Sequence, residues 1–118
     1  MEVKCKFEQV LEILFGKWKT TIMFHLIRNG TMRFSELQRS MPDITKKMLT
    51  MQLRELEYHD IIHREVYQQV PPKVEYSISK YGESMFPVLE VMSEWGYKHV
   101  AHLNERYGEE VLVEPLTK

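Results

Sequence analysis

Apolar residues recur at helical spacing along much of the chain, and the breaks in that pattern mark where helices end. Phe7 and Leu11 belong to one such face, which predicts helix 1 over residues 7–15. A glycine follows, and helix 2 is predicted over residues 17–28, up to an Asn-Gly stop at 29–30.

Two further helices follow with a short turn between them. Ser35, with Gln38 three residues later, has the pattern of a capping box, which predicts helix 3 over residues 35–41. A Pro-Asp turn leads to Thr45, a favourable N-cap residue, and neither glycine nor proline interrupts helix 4 before Tyr58. Two helices joined in this way predict a helix-turn-helix.

Helix 4 has an apolar side and a polar, basic side. The apolar residues are predicted to lie in the core: Met48, Leu49, Leu53 and Leu56. The opposite arc of the helical wheel carries Lys47, Thr50, Met51 and Arg54, with Lys46 at its margin. A DNA major groove about 12 Å wide accepts such a helix, although a Lys-Lys pair at a helix start also fits a merely solvated surface.

The period of the pattern changes to two after helix 4. Residues 62–67 and 74–78 alternate, with a Pro-Pro-Lys loop between them, which predicts a β-hairpin. A hairpin placed directly after a helix-turn-helix predicts a wing. Cations on a wing most often contact backbone phosphate, which sets position and not sequence.

The expected contacts with double-stranded DNA are therefore spread over three elements. They are Arg33 and Ser35 at the start of helix 3, Thr45, Lys46, Lys47, Thr50, Met51 and Arg54 on helix 4, and Arg64 and Lys73 on the wing. Helix N-termini favour anions, which is the reason for including Ser35. The same serine would equally serve as a helix cap alone.

A long C-terminal helix completes the predicted fold. Ser79 is predicted to cap it, and it extends over residues 80–107 to a stop at Gly108. Pro87 falls within this stretch, so a kink or a later start is expected. The fold class is mainly α with a small β-hairpin, a winged helix-turn-helix with an added C-terminal helix.

Length and charge support one DNA-binding domain over residues 1–118, with its helix-turn-helix at about 34–59 and its wing at about 62–79. The net charge of −1 conceals an uneven distribution. Residues 1–82 carry 13 basic and 10 acidic side chains, and residues 83–118 carry 3 and 7. Local charge governs phosphate binding more than the total does.

Several classes of function find no support in the sequence. It has one cysteine and no metal-ligand spacing, phosphate loop or catalytic triad pattern, so no cofactor, metal or catalytic residue is predicted and an enzyme is not expected. No apolar run approaches the roughly 20 residues of a membrane span. The N-terminus lacks a signal-peptide pattern, so the expected location is the cytoplasm.

Four segments resemble the HxlR-type regulators, relatives of the MarR group, and together they extend from about Cys5 to Gly96. They are LFGKWKTTIMFHL, RFSELQRSMPDITKKMLTMQLRELE, REVYQQVPPKVEYSIS and YGESMFPVLEVMSEWG. The resemblance implies a homodimer that binds operator DNA, most often as a repressor, with helix 1 and the C-terminal helix at the interface. These helices also carry more apolar residues than one small core requires. The candidate interface residues are Phe7, Leu11, Phe86, Leu89, Trp95 and Leu103.

The resemblance also implies a role for Cys5, because several members of the family sense oxidants or electrophiles through a cysteine just before helix 1. Lys4 and Lys6 flank Cys5 and would favour its thiolate. An inert cysteine is the alternative. The sequence indicates no small-molecule effector. A second overall interpretation also stays open, a winged-helix module that binds a protein and never DNA.

Overall fold

Five α-helices and three strands make up the part of the chain that the computed structural model describes, residues 6–14 and 16–108. In chain order they are α1 Lys6–Leu14, α2 Lys17–Asn29, β1 Met32–Arg33, α3 Phe34–Ser40, α4 Lys46–Tyr58, β2 Ile62–Tyr67, β3 Lys73–Ile78 and α5 Phe86–Tyr107. A short 3₁₀ helix, Gly82–Met85, precedes α5. Cys5 and Phe15 lie outside the described residues.

The first four helices begin and end close to their predicted bounds, but the predicted cap of α3 is wrong. Ser35 lies inside α3, and the N-cap residue is Arg33, whose backbone is extended. The Arg33 N–H donates to Oε1 of Glu36 at 2.8 Å, so the carboxylate three residues later satisfies this end of the helix. The helix starts one residue earlier because the strand before it ends at Arg33.

The three strands form one antiparallel sheet in the order β1-β3-β2. The predicted hairpin is present, in register from Ile62 opposite Ile78 to Tyr67 opposite Lys73. Strand β1 has no sequence signal, because two residues are too few to show alternation. It pairs with β3 and places Arg33 opposite a glutamate of that strand. Strand β3 is therefore central, with a neighbour on each side.

The core lies between α2, α3, α4 and the sheet. Its fully buried side chains are Ile22, Met23, Leu26, Leu37, Leu49, Leu53, Leu56, Ile61 and Ile62. His25 is 4% exposed on α2. Burial, and to a smaller extent the charge of Arg28, lowers the pKa of His25, so its imidazole is neutral at pH 7. The core thus accepts this polar ring as an uncharged group.

The C-terminal helix starts later than predicted, because Pro87 occupies its first turn. Ser79 caps the preceding turn instead: its hydroxyl accepts from the Gly82 N–H at 2.8 Å and donates to the Asp60 carbonyl at 2.6 Å. Gly108, in the left-handed region with φ 65°, ends the helix as predicted. The serine thereby ties the end of the sheet to the loop after α4.

Most of α5 lies outside the core. Leu89 is the buried residue of this 22-residue helix, at 3% exposure, and it packs in the core of its own chain. Leu89 therefore offers a partner little surface, and its place in an interface stays a prediction. Trp95 is 63% exposed and Phe7, on α1, is 68% exposed. Leu11, Phe86 and Leu103 are half-buried.

At Gly82 two backbone segments come very close together. A Cβ atom there would overlap the carbonyl oxygen of Ile61 and press against the Ile78 side chain. We expect Gly82→Ala to lower the free energy of unfolding by about 3 kcal/mol, since backbone cannot yield as a flexible side chain does. Urea denaturation followed by circular dichroism measures this loss.

Ser84→Ala is the control, since Ser84 is exposed in the same turn. Its effect should stay within about 0.5 kcal/mol. Equal stabilities for the alanine variants at positions 82 and 84 would contradict the close approach at Gly82.

Candidate nucleic-acid interface

Helix α4 is fixed in rotation by its cap and its buried side. The hydroxyl oxygen of Thr45 accepts from the Met48 N–H at 3.0 Å, which confirms Thr45 as the N-cap. Leu49, Leu53 and Leu56 are buried in the core, and Met48 packs half-buried against it. The opposite side of α4 therefore faces outward.

The outward side of α4 carries the residues that the helical wheel assigns to it. Lys46, Lys47, Met51 and Arg54 are exposed, while Thr50 is half-buried. The Thr50 hydroxyl donates to the Lys46 carbonyl at 2.8 Å. Its proton is therefore used within the helix, and the oxygen keeps acceptor capacity.

An open groove of about 1050 Å³ follows this side of the helix. Its lining comprises Phe34, Lys46, Lys47, Thr50, Met51, Arg54, Glu55, Tyr58 and His59. The three aromatic or imidazole members lie beyond the sequence-derived set. Tyr58 had a usable signal, since it follows Arg54 by four residues and so extends the same stripe. At 84% exposure it is available to a ligand of the groove.

An ion pair also joins helix α4 to helix α2. Lys19 of α2 donates to Oε2 of Glu55 at 2.9 Å. The lysine side chain is 11% exposed and the glutamate 49%. A partly buried pair is screened less by salt than one in bulk solvent. The contact neutralises Glu55, an acidic residue in the lining of the groove.

The wing meets α4 at a small cavity of about 190 Å³. Arg54 and Thr50 of α4, Glu57 of the same helix, and Arg64 and Tyr76 of the wing all line it. The predicted DNA contacts Arg54 and Arg64 are thus brought to one junction. Arginine binds phosphate through bidentate hydrogen bonds, although Glu57 in the same lining offsets part of the positive charge of Arg54 and Arg64.

Lys73, the other wing cation, lies on the opposite face of the hairpin and is already partnered. Its Nζ is 3.5 Å from Oε2 of Glu75 and 4.5 Å from the centre of the Tyr67 ring. The Lys73 side chain is 26% exposed. A ligand that approached Lys73 would also meet the carboxylate beside it.

The start of α3 is less open to an anion than the sequence suggests. Arg33 and Ser35 are both exposed there. The Glu36 carboxylate already accepts from the Arg33 N–H, so it occupies the favourable electrostatic position at this helix end. Any phosphate at α3 would have to be held by the Arg33 side chain itself.

Two other kinds of site can be assessed for the described part of the chain. Among residues 6–14 and 16–108, no group of His, Cys, Asp or Glu is arranged to hold a metal ion. The same residues contain no helix that is both long and apolar enough to cross a membrane.

Comparison with known proteins identifies relatives over most of the chain. The HxlR-like helix-turn-helix family model matches residues 13–104. The HTH-type transcriptional regulator YdeP of Bacillus subtilis is 52% identical over 95 residues, which cover 80% of this chain and 73% of YdeP.

Several solved structures resemble this chain in both sequence and fold. The crystal structure of an HTH-type transcriptional regulator, YtcD, has a TM-score of 0.78 and 51% identity, and the match covers 83% of this chain and 99% of that one. The redox regulator HypR in its oxidised form has a TM-score of 0.72 and 50% identity, covering 80% of this chain and 96% of HypR. The architecture is thus that of the winged-helix regulators.

Proposed function

The chain belongs to the HxlR-like helix-turn-helix family of transcriptional regulators, and on that premise we propose that it is a homodimeric repressor that inserts α4 into the major groove of operator DNA. Membership of this family implies DNA binding and a regulator, not an enzyme. The proposed place of action is the cytoplasm, because the target is chromosomal DNA.

The two-sided character of α4 carries this proposal. Its leucines are buried, its outward side is polar and basic, and the wing adds a second arginine at its edge. In a helix-turn-helix the second helix enters the groove and its N-terminal residues touch base edges. Lys47 and Thr50 are therefore proposed to contact bases, and Arg54 and Arg64 to contact the backbone or guanine edges. Arg33, Ser35, Lys46, Met51 and Lys73 complete the proposed surface.

The alternative function is a winged-helix module that binds a protein through the same groove. Its aromatic members, Phe34 and Tyr58, would suit an apolar partner. The dependence of binding affinity on salt concentration distinguishes the two functions. DNA affinity falls steeply and linearly on a logarithmic salt scale because counterions are released, whereas an aromatic-centred protein contact is far less sensitive.

The double substitution Lys47→Ala with Arg54→Ala tests the assignment of α4. We expect at least a hundredfold loss of operator affinity with unchanged melting temperature, since two charged contacts of about 1–3 kcal/mol each are removed from an exposed surface. Operator fragments are first selected from the source genome, and affinity is then measured by fluorescence anisotropy.

Lys98→Ala with Arg106→Ala is the matched control. It removes one lysine and one arginine charge from α5, a helix that contributes no residue to the lining of the groove, and should change operator affinity less than threefold. Undiminished operator binding by the Lys47 and Arg54 double variant would rule out α4 as the helix in the groove.

The proposed dimer rests on the exposed apolar face of α5. The face that buries Leu89 continues along the helix through Met92, Gly96 and Leu103. Met92 is 46% exposed, and the neighbouring Trp95 stacks its ring on His99 with centroids 4.9 Å apart. A second copy of the chain, related by two-fold symmetry, would cover this face and place two α4 helices on successive major grooves.

Gly96 gives the dimer a specific point of contact. Glycine inside a helix costs about 1 kcal/mol relative to alanine. Within the described residues, no atom outside the helix backbone lies within 4 Å of the place where a Cβ would be. The packing of the described residues therefore gives no reason for a glycine there. Close approach of a partner helix supplies one.

Gly96→Leu is expected to weaken dimerisation at least tenfold while leaving the monomer as stable or more stable, because leucine favours helix but blocks the close approach. Sedimentation equilibrium over a range of concentrations measures the dissociation constant. Glu94→Leu places the same side chain on the polar side of α5 and serves as the control. A dimer that tolerates leucine at both positions would contradict this interface.

Cys5 is proposed as a redox-sensitive position. Support comes from the similarity to HypR, a redox regulator, and from Lys4 and Lys6, which favour the thiolate. Diamide is expected to change operator affinity of the wild-type protein and to leave Cys5→Ser unaffected. An identical response of both proteins, measured in the anisotropy assay, would exclude a sensing role for Cys5.

A further inference from the structure

The two faces of the wing differ in whether their basic side chains are paired with a carboxylate. Side chains alternate along a strand, so one face carries Arg64 and the other carries Tyr67, Lys73 and Glu75. Arg64 is exposed and opens towards α4. Lys73 and Glu75 face each other along β3, with their side chains 26% and 23% exposed.

The Lys73 ammonium has two partners on this face, Glu75 and Tyr67. The ammonium is 3.5 Å from the carboxylate and 4.5 Å from the centre of the Tyr67 ring, a distance at which a cation is attracted to the ring. The pKa of Tyr67 is raised by the neighbouring Glu75 carboxylate, first as a hydrogen-bond acceptor and then through its charge. The Tyr67 ring thereby covers one side of the Lys73 ammonium while Glu75 lies on another.

This arrangement limits what Lys73 offers to a polyanion. Seen from a phosphate several ångströms away, an ion pair acts as a dipole, and its field falls off faster than that of a single charge. The same carboxylate lies opposite Arg33 across the β1–β3 pairing. Glu75 is therefore placed between two of the cations expected to contact the DNA backbone.

We propose that Glu75 restrains backbone affinity: by holding Lys73 in an ion pair it keeps the wing from acting as a full cationic contact with DNA. This inference rests on the proposed function, because it concerns the strength of DNA binding by the same surface. Backbone contacts carry no sequence information, so releasing the restraint should tighten binding to every duplex by a similar factor. Glu75 acts through Lys73 and is a positioning residue.

Glu75→Gln tests the proposal, because it removes the charge and keeps the size and polarity of the side chain. The salt dependence of binding to a random-sequence duplex of 30 base pairs is measured by anisotropy between 50 and 200 mM NaCl. One added phosphate contact steepens the logarithmic slope by about 0.9. We therefore expect tighter binding at 50 mM and an additional loss of roughly threefold across this salt range.

Three further variants show whether the effect passes through Lys73. Lys73→Gln alone should flatten the slope, and Lys73→Gln with Glu75→Gln should return it to the wild-type value. Glu75→Asp withdraws the carboxylate from Lys73 and should give an intermediate slope, and it keeps the test available if Glu75→Gln fails to fold. Glu65→Gln is the matched control, since Glu65 lies opposite Glu75 on the same face of the hairpin, but its recorded contact is with Nε2 of His63, at 3.9 Å, and not with Lys73.

The outcomes separate this inference from the function on which it rests. An unchanged slope for both Glu75 variants, or an equal change for Glu65→Gln, would overturn the restraint while leaving DNA binding intact. Absence of salt-dependent binding by the wild-type protein would overturn the proposed function and the restraint together. A slope that rises in Glu75→Gln and returns to wild type in the double variant supports it.

Discussion

Burial of Leu49, Leu53 and Leu56 is the interaction on which the functional surface depends. Each fully buried leucine stabilises the fold by about 1.5–3 kcal/mol, several times the worth of an exposed ion pair. Rotating α4 by one residue would expose part of this set, so the rotation of the helix is fixed from inside. The polar arc then faces outward as a geometric consequence, whatever charges it carries.

Strand β3 has a comparable role for the wing. It hydrogen-bonds to β1 on one side and β2 on the other, so the short strand before α3 and the wing share one rigid sheet. The two faces of that sheet are chemically unlike. One directs Arg64 towards α4, and the other gathers Tyr67, Lys73 and Glu75 into mutual contacts. Each face thus carries one cation, but the positive charge of Lys73 is offset by Glu75.

Periodicity was sufficient to predict α1, α2, α4 and the hairpin, because each has a long repeat or a strong stop signal. It was also sufficient for the outward face of α4. It failed where a feature depends on partners distant in sequence. The two residues of β1 form a strand because β3 is beside them, and Arg33 caps α3 because the chain arrives there extended. The contact between Lys73 and Glu75 could not be predicted either, because the register of the hairpin decides which side chains share a face.

The turn between the sheet and α5 has a mechanical consequence. Ser79 and Gly82 fasten this turn to the backbone around Ile61, and from it a helix of 22 residues extends for about 33 Å. A rotation of about 10° at the turn would move the far end of such a lever by roughly 6 Å. Neighbouring base pairs are about 3.4 Å apart along a duplex. In a dimer joined through α5, the stiffness of this one turn would set how much variation in half-site spacing the protein tolerates.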